Sequence, residues 1–186
     1  MPTINAQLRL HIKNMIGRLS ETAIANLFES MGLHPAIIPG GEIEIQEEIP
    51  DTKLSVLRNL LRREHFDIIY DRSRILAEKV LHVIMDMIHY SRELPAINYS
   101  EYISQKLCIN YTFLSKCFSR NMGITIEQYI ITQKIERVKK LLRYPDITLT
   151  EIAWKLQYSS TAHLSAQFKR VTGITPSIFR KSAVKH

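Results

Sequence analysis

Apolar and polar residues alternate from Gln7 to Lys13, with Leu8, Leu10 and Ile12 on one side, and this period of two predicts a strand. The spacing then lengthens. Glu21–Met31 predicts a helix with Ser20 as its cap and Gly32 as its stop. His34–Ile38 and Glu42–Gln46 alternate again on either side of Pro39-Gly40-Gly41, a hairpin signal. Thr52–Arg63 returns to helical spacing with Leu54, Leu57, Leu60 and Leu61 inward, and Phe66–Tyr70 predicts a last strand. The order βαββαβ predicts a ferredoxin-like sandwich, an antiparallel sheet with both helices on one face.

After residue 71 the pattern predicts helices alone. Arg74–Tyr90 sets Leu76, Val80, Val83, Ile84, Met87 and Ile88 on one stripe and stops before Pro95, because the residue before proline avoids the α region. Ser100 is expected to cap a short helix, Glu101–Leu107, with Ile103 and Leu107 inward. Cys108-Ile109-Asn110 then turns into a second helix, Tyr111–Asn121, closed by Gly123. Thr150, Glu151–Leu156, Tyr158-Ser159-Ser160, Thr161–Thr172 and Gly173 repeat that plan. Between the copies, Ile126–Arg143 predicts a long helix carrying Ile130, Ile135, Val138, Leu141 and Leu142, stopped at Tyr144-Pro145-Asp146.

The repetition extends to residue identity. FLSKCFSRNMGITIEQYI at 113–130 and HLSAQFKRVTGITPSIFR at 163–180 lie 50 residues apart and agree at seven positions: Leu114/Leu164, Ser115/Ser165, Phe118/Phe168, Arg120/Arg170, Gly123/Gly173, Ile124/Ile174 and Thr125/Thr175. An aromatic recurs too, at Tyr129 and Phe179. A fixed-offset repeat is first a sign of a repeated fold unit, and each copy has the outline of a helix-turn-helix. The expected class is therefore α+β. A sandwich spans 1–71, and an all-α pair of helix-turn-helix units at 100–121 and 150–172, linked by helix 126–143, spans 72–186.

Charge sharpens this division. The net charge of +7 comes entirely from the second part: residues 1–71 hold 7 Lys+Arg against 10 Asp+Glu, and residues 72–186 hold 18 against 8. A basic region joined to a mildly acidic one points to a polyanion-binding module with a separate partner domain. The 45% hydrophobic content suffices for ordinary cores, and no apolar run nears the roughly 18 residues of a membrane span. The start of the chain lacks the apolar stretch of a signal peptide, so the cytoplasm is the expected location and no membrane partner is expected. Cys108 and Cys117 form neither a disulfide framework nor a zinc spacing, and both are expected to be buried small hydrophobes. Trp154 is expected in the core.

Leu149-Thr150-Glu151-Ile152-Ala153, followed by His163-Leu164-Ser165-Ala166-Gln167-Phe168-Lys169-Arg170-Val171-Thr172-Gly173-Ile174-Thr175-Pro176 and an aromatic three residues later, resembles the DNA-binding domain of the AraC/XylS family of bacterial transcription regulators. The resemblance spans about residues 74–182. It implies double-stranded DNA as a partner, with RNA polymerase as a further one. It also implies two reading helices held by the long linking helix, entering successive major grooves about 34 Å apart. Carried over position by position, the base-facing residues are Thr112, Ser115 and Lys116 in the first unit and Thr161, Ala162, Ser165 and Ala166 in the second. Lys116 suits guanine O6/N7, and Thr112 and Ser115 suit several bases. Ala162 and Ala166 offer a thymine methyl a contact but no hydrogen bond, so the second unit is expected to anchor and read shape. His163 and Gln167 are the side chains there that offer compensation. Asn110, Arg120, Ser159, Ser160, Lys169 and Arg170 are cast as phosphate contacts from turns and helix ends.

Residues 11–20 resemble the metal loop of heavy-metal-associated domains, which carry M-x-C-x-x-C between the first strand and the first helix. Here Met15 is retained, but Gly17 and Ser20 occupy the cysteine positions, so thiolate binding of Cu(I) or Zn(II) is not carried over. Met15, His11, His34 and His65 are the remaining soft donors and are expected to be structural; neither a metal nor another cofactor is expected. Such a domain is a candidate for binding a small effector, for dimerisation, or for masking the basic region through Glu42, Glu44, Glu47 and Glu48. A charged edge strand that resists aggregation has the same appearance.

The pattern supplies no nucleophile–base pair, glycine-rich phosphate loop or metal-ligand cluster, so no enzyme is expected. The competing class is a metal or small-ligand sensor or carrier whose N-terminal domain is the main site. Two reading heads on one chain leave both monomer and homodimer open.

Overall fold

The computed structural model describes residues 8–38, 40–47, 49–91 and 93–183. Gln7, Pro39 and Glu48, which figure in the strand, hairpin and acidic-run expectations, lie outside them. Two compact units emerge. One takes the chain up to Val83 together with Ile103–Gly123; the other takes Ile84–Tyr102 and the chain from Ile124 onward.

In the first unit, β1 (Leu8–Lys13), β2 (Ala36–Ile38), β3 (Glu42–Ile45) and β4 (Asp67–Ile69) form an antiparallel sheet in the order β2-β3-β1-β4. The period of two places each residue as expected. Leu10 pairs with Ile43 and Ile12 with Ile68, and all four are buried in one core. That core also holds Ile24 and Phe28 of α1 (Arg18–Ser30) and Leu57 and Leu61 of α2 (Asp51–Arg63), so both helices cover the same face. On the other face Arg9 pairs with Glu44 and His11 with Glu42, as opposite charges directly across a ladder should. The β2–β3 turn needs glycine for two reasons. Gly41 has φ +80°, and a Cβ there would stand 2.8 Å from His82 Nε2 and 3.3 Å from the Ile12 carbonyl.

Helix α3 (Arg72–Met85) follows β4, and its C-terminal continuation, Asp86–Tyr90, is a π-helical turn. α4 (Tyr99–Leu107) and α5 (Tyr111–Met122) make the first helix-turn-helix copy. In the second unit, α6 (Ile126–Leu141), α7 (Leu149–Lys155), α8 (Thr161–Thr172) and α9 (Pro176–Ala183) pack around Ile130, Ile135, Val138, Ile152, Leu156, Leu164 and Phe168. The overall composition is α+β, with the sheet early in the chain and helices after it.

Several local expectations are corrected. Gly17, not Ser20, is the N-cap of α1, and the Ser20 hydroxyl donates back to the Gly17 carbonyl at 2.8 Å. Ser100 lies inside α4, which starts one residue earlier. Thr148 rather than Thr150 caps α7: its hydroxyl accepts from Glu151 N–H while Glu151 reaches back to Thr148 N–H, a capping box that a search for any nearby threonine overlooks. Cys117 is buried as expected, but Cys108 is exposed, at φ +53° in the turn. Trp154 is not core; it is 75% exposed. Its neighbours explain this: Ile152, Ala153 and Leu156 set the buried stripe of α7, and position 154 lies on the opposite side.

Gly123 and Gly173 end α5 and α8 at φ +72° and +81°. No atom stands within 4 Å of a Cβ built at Gly173, so substitution there tests backbone conformation alone. Gly173→Ala is expected to lower stability by about 1 kcal/mol, with Gly173→Asn losing less, in urea unfolding followed by circular dichroism.

Candidate nucleic-acid interface

Each second helix begins at a polar cap. The Asn110 side chain accepts the Thr112 N–H at 2.9 Å, and the Ser160 hydroxyl accepts the His163 N–H at 3.0 Å. The turns before these caps differ by one residue. Each passes through a left-handed residue, Cys108 (φ +53°) or Gln157 (φ +51°); the cap follows two positions later in the first copy and three later in the second. This extra residue is why the first helices of the two copies align at an offset of 49 and the second helices at 50.

The identities shared by the copies are chiefly those that build the unit. Leu114, Leu164, Phe118 and Phe168 are fully buried, and Gly123 and Gly173 are left-handed caps. Thr125 caps α6 through a box with Gln128. Among the proposed base readers, Thr112 is matched by Ala162 and Lys116 by Ala166 across the copies, while the half-buried Ser115/Ser165 and the exposed Arg120/Arg170 are shared. Thr112 and Lys116 are exposed and Ser115 half-buried on α5; Ala162 and Ala166 are exposed and Thr161 and Ser165 half-buried on α8.

Of the phosphate candidates, Arg120, Ser159, Lys169 and Arg170 are exposed. Asn110 and Ser160 are exposed too, and though their acceptors serve the caps, each keeps a donor, an amide N–H or a hydroxyl. His163 is held in place: Ser159 Oγ and His163 Nδ1 are 3.0 Å apart, and the ring meets Tyr158 edge-on with centroids 5.4 Å apart. Gln167 is half-buried.

Sequence reasoning misses what lies under α7 and α8. Lys134 of α6 is buried with its Nζ 4.2 Å from the Tyr158 ring centroid and 3.5 Å from the Tyr99 hydroxyl. Burial lowers the pKa of this ammonium to about 8 and raises that of the Tyr158 phenol. The spacing does carry a signal, since Lys134 falls beside Ile130, Ile135 and Val138 on the apolar stripe of α6.

The soft donors near the β1–α1 loop are placed apart in role. Met15 is in the sheet core, His11 pairs with Glu42 at 3.0 Å and His34 with Glu47 at 2.9 Å. His65 takes a left-handed turn, its carbonyl accepting from Asn14. Among the described residues no group of three or more His, Cys, Asp or Glu is arranged to hold a metal ion, and no helix is long and apolar enough to cross a membrane.

Residues 103–182 match the family described as a helix-turn-helix domain. This span takes in α5 to α8 whole and most of α4. An uncharacterized HTH-type transcriptional regulator, YtdP of Bacillus subtilis, is 29% identical over 127 residues, covering 66% of this chain and 16% of its own. A second such regulator, from Staphylococcus aureus, is 30% identical over 113 residues, covering 60% of this chain and 15% of its own. The chain thus spans only about a sixth of the length of these curated relatives. Among solved structures, the C-terminal domain of AraT, a response regulator from Geobacillus stearothermophilus, superposes with TM-score 0.52 at 19% identity, covering 60% of this chain and 88% of its own. A regulator with an AraC-type DNA-binding domain from Chromobacterium violaceum gives 0.51 at 18%, covering 59% and 96%. At these identities the structural likeness speaks to fold.

Proposed function

We propose that this chain is a transcription regulator of AraC type that binds double-stranded DNA through two helix-turn-helix units, with α5 and α8 entering successive major grooves. The observation that carries this reading is the division within the repeat. The two copies share buried and helix-ending residues, with Ser115/Ser165 and the exposed Arg120/Arg170, but differ at Thr112/Ala162 and Lys116/Ala166 on α5 and α8, where a pair of readers must differ to see two half-sites. The helix-turn-helix match over 103–182 and the regulators among the relatives support it. Thr112, Ser115 and Lys116 read bases; Thr161, Ala162, Ser165 and Ala166 follow groove shape. Asn110, Arg120, Ser159, Ser160, Lys169 and Arg170 hold phosphates. The cytoplasm is the compartment that suits such a protein.

The N-terminal module is read as ferredoxin-like, and its strand order and one-sided helices support that. The likeness to heavy-metal-associated domains is one of plan: Gly17 caps a helix and Ser20 bonds back to it, where that family carries thiols.

Selection of bound fragments from random DNA at two salt concentrations tests the reading. A bipartite site with halves about one helical turn apart is the expected result; salt-sensitive binding without enrichment would leave only a basic surface. On the selected site, Lys116→Ala is expected to cost about 1–3 kcal/mol and to relax choice at one base pair. An equal loss on all sequences, seen by competition binding, would make Lys116 a phosphate contact.

A further inference from the structure

The first unit contains an open cleft of about 980 Å³ bounded by the sheet face opposite α1 and α2, by the start of α3 and by the first helix-turn-helix copy. The volume is at the upper end of those that hold small organic ligands. Its apolar wall is Leu76, Leu107, Ile109 and Phe113. Phe113 is 56% exposed on the first turn of α5, and the repeat departs here: the matching residue in α8 is His163, which is fastened to Ser159 and Tyr158. What sets Phe113 apart from the exposed His163 is that its ring is wholly apolar and lines the cleft.

The polar lining is cationic. Arg72, Lys79 and Lys106 stand around the cleft, and Asp71 is the one carboxylate among the described residues that line it. An Asp71 oxygen already accepts the Arg74 N–H at 2.8 Å at the start of α3. Lys79 lies 3.7 Å from Glu42, which the His11 ring also engages at 3.0 Å, so one carboxylate behind the wall is shared between an ammonium and an imidazole.

We propose that this cleft is an effector site for a small amphipathic organic anion, an apolar aromatic or aliphatic body carrying one acidic group. The body lies against Leu76, Leu107 and Phe113, and the acid meets Arg72 and the lysines. Because one wall belongs to the α4–α5 copy, an occupant that favours one placement of α5 changes DNA affinity, and DNA changes the occupant's affinity by the same factor. That consequence rests on the DNA-binding reading; the ligand site itself does not.

The test uses the full chain without DNA and two fluorescent probes with the same body, anionic 8-anilino-1-naphthalenesulfonate and neutral N-phenyl-1-naphthylamine. One saturable site per chain is expected, at least about tenfold tighter for the sulfonate, since a charge-assisted contact is available to it alone. Leu76→Trp, which fills the cleft, should weaken both probes by a similar factor. Arg72→Gln, at an exposed position, should weaken only the sulfonate. Equal affinity for the two probes, or sulfonate binding indifferent to both substitutions, overturns the proposal. Should Leu76→Trp lose its far-ultraviolet dichroism, Arg72→Gln decides. Adding the sulfonate to the protein on its selected DNA then reads the coupling. A bound probe with no selectable DNA refutes the DNA reading alone, and a selected operator with no probe site refutes the effector site alone.

Discussion

Phe168→Ala is expected to lower the stability of the second unit by about 3–5 kcal/mol, the range for deleting a buried aromatic ring. The ring is fully buried and meets Phe179 of α9 edge-on, with centroids 5.6 Å apart. It lies on α8, whose neighbours in the unit are α6, α7 and α9. The cavity therefore opens at the point where the second reading helix is held, and the surrounding backbone is tied at both ends by the Ser160 cap and Gly173. Collapse into the space would require α8 to shift, so most of the loss should be realised. A domain retains only about 5–15 kcal/mol in total, so specific DNA binding should fall with it. Urea unfolding followed by far-ultraviolet dichroism measures the first effect, and titration on the selected site the second. Phe168→Leu, which keeps most of the apolar volume, should recover much of both. A variant as stable as the original would mean that Phe168 is not the keystone of this packing.

The repeat shows what a sequence makes legible. Positions whose physical demand is strict can be read directly: Leu114 and Leu164 buried, Phe118 and Phe168 buried, Gly123 and Gly173 left-handed. The sheet follows equally from alternation, because a shift of one residue would turn Leu10, Ile12, Ile43 and Ile45 from the core to the other face. Choices among near-equivalent residues are harder to read. Thr148 and Thr150 are both good caps, and only the reach of Glu151 selects the first. Residue type misleads at Trp154, where the angle on α7 decides, and at Cys108, where the turn decides. The cleft depends on residues brought together from distant positions, such as Leu76 with Phe113, of which periodicity within one element carries no trace. At Lys134 periodicity marks a place on the apolar stripe of α6 but not the Tyr99 and Tyr158 that it meets.

His82 is expected to make the first unit acid-sensitive, losing about 3 kcal/mol as the pH falls from 6.5 to 4, because each tenfold loss of proton affinity on folding is worth about 1.4 kcal/mol. The imidazole is buried on α3, and among the described residues its Nε2 has no hydrogen-bond partner; the close backbone of Gly41 leaves no room for one on that side. Burial lowers its pKa to about 4. Above pH 6.5 the ring is neutral in both states and titration costs nothing. Between 6.5 and 4 the unfolded chain takes up a proton that the fold refuses, so stability falls with pH. His11, also lowered by burial, acts in the same direction. Glu78, one turn earlier on α3, opposes it: burial raises its carboxyl, so the fold holds that proton where the unfolded chain has lost it, and stability gains as pH falls toward 4.5. Urea midpoints at several pH values should decline toward acid in the original chain and run flatter in His82→Leu, which replaces an unpartnered polar ring with an apolar group of similar size. Coincident slopes would show that His82 is not held neutral. α3 carries His82 near one end and Arg72, Leu76 and Lys79 along the cleft, so loosening it should also release 8-anilino-1-naphthalenesulfonate. Loss of probe binding between pH 6.5 and 4 that His82→Leu prevents, with far-ultraviolet dichroism of the original chain unchanged over that range, would tie the acid response to the effector wall rather than to general unfolding.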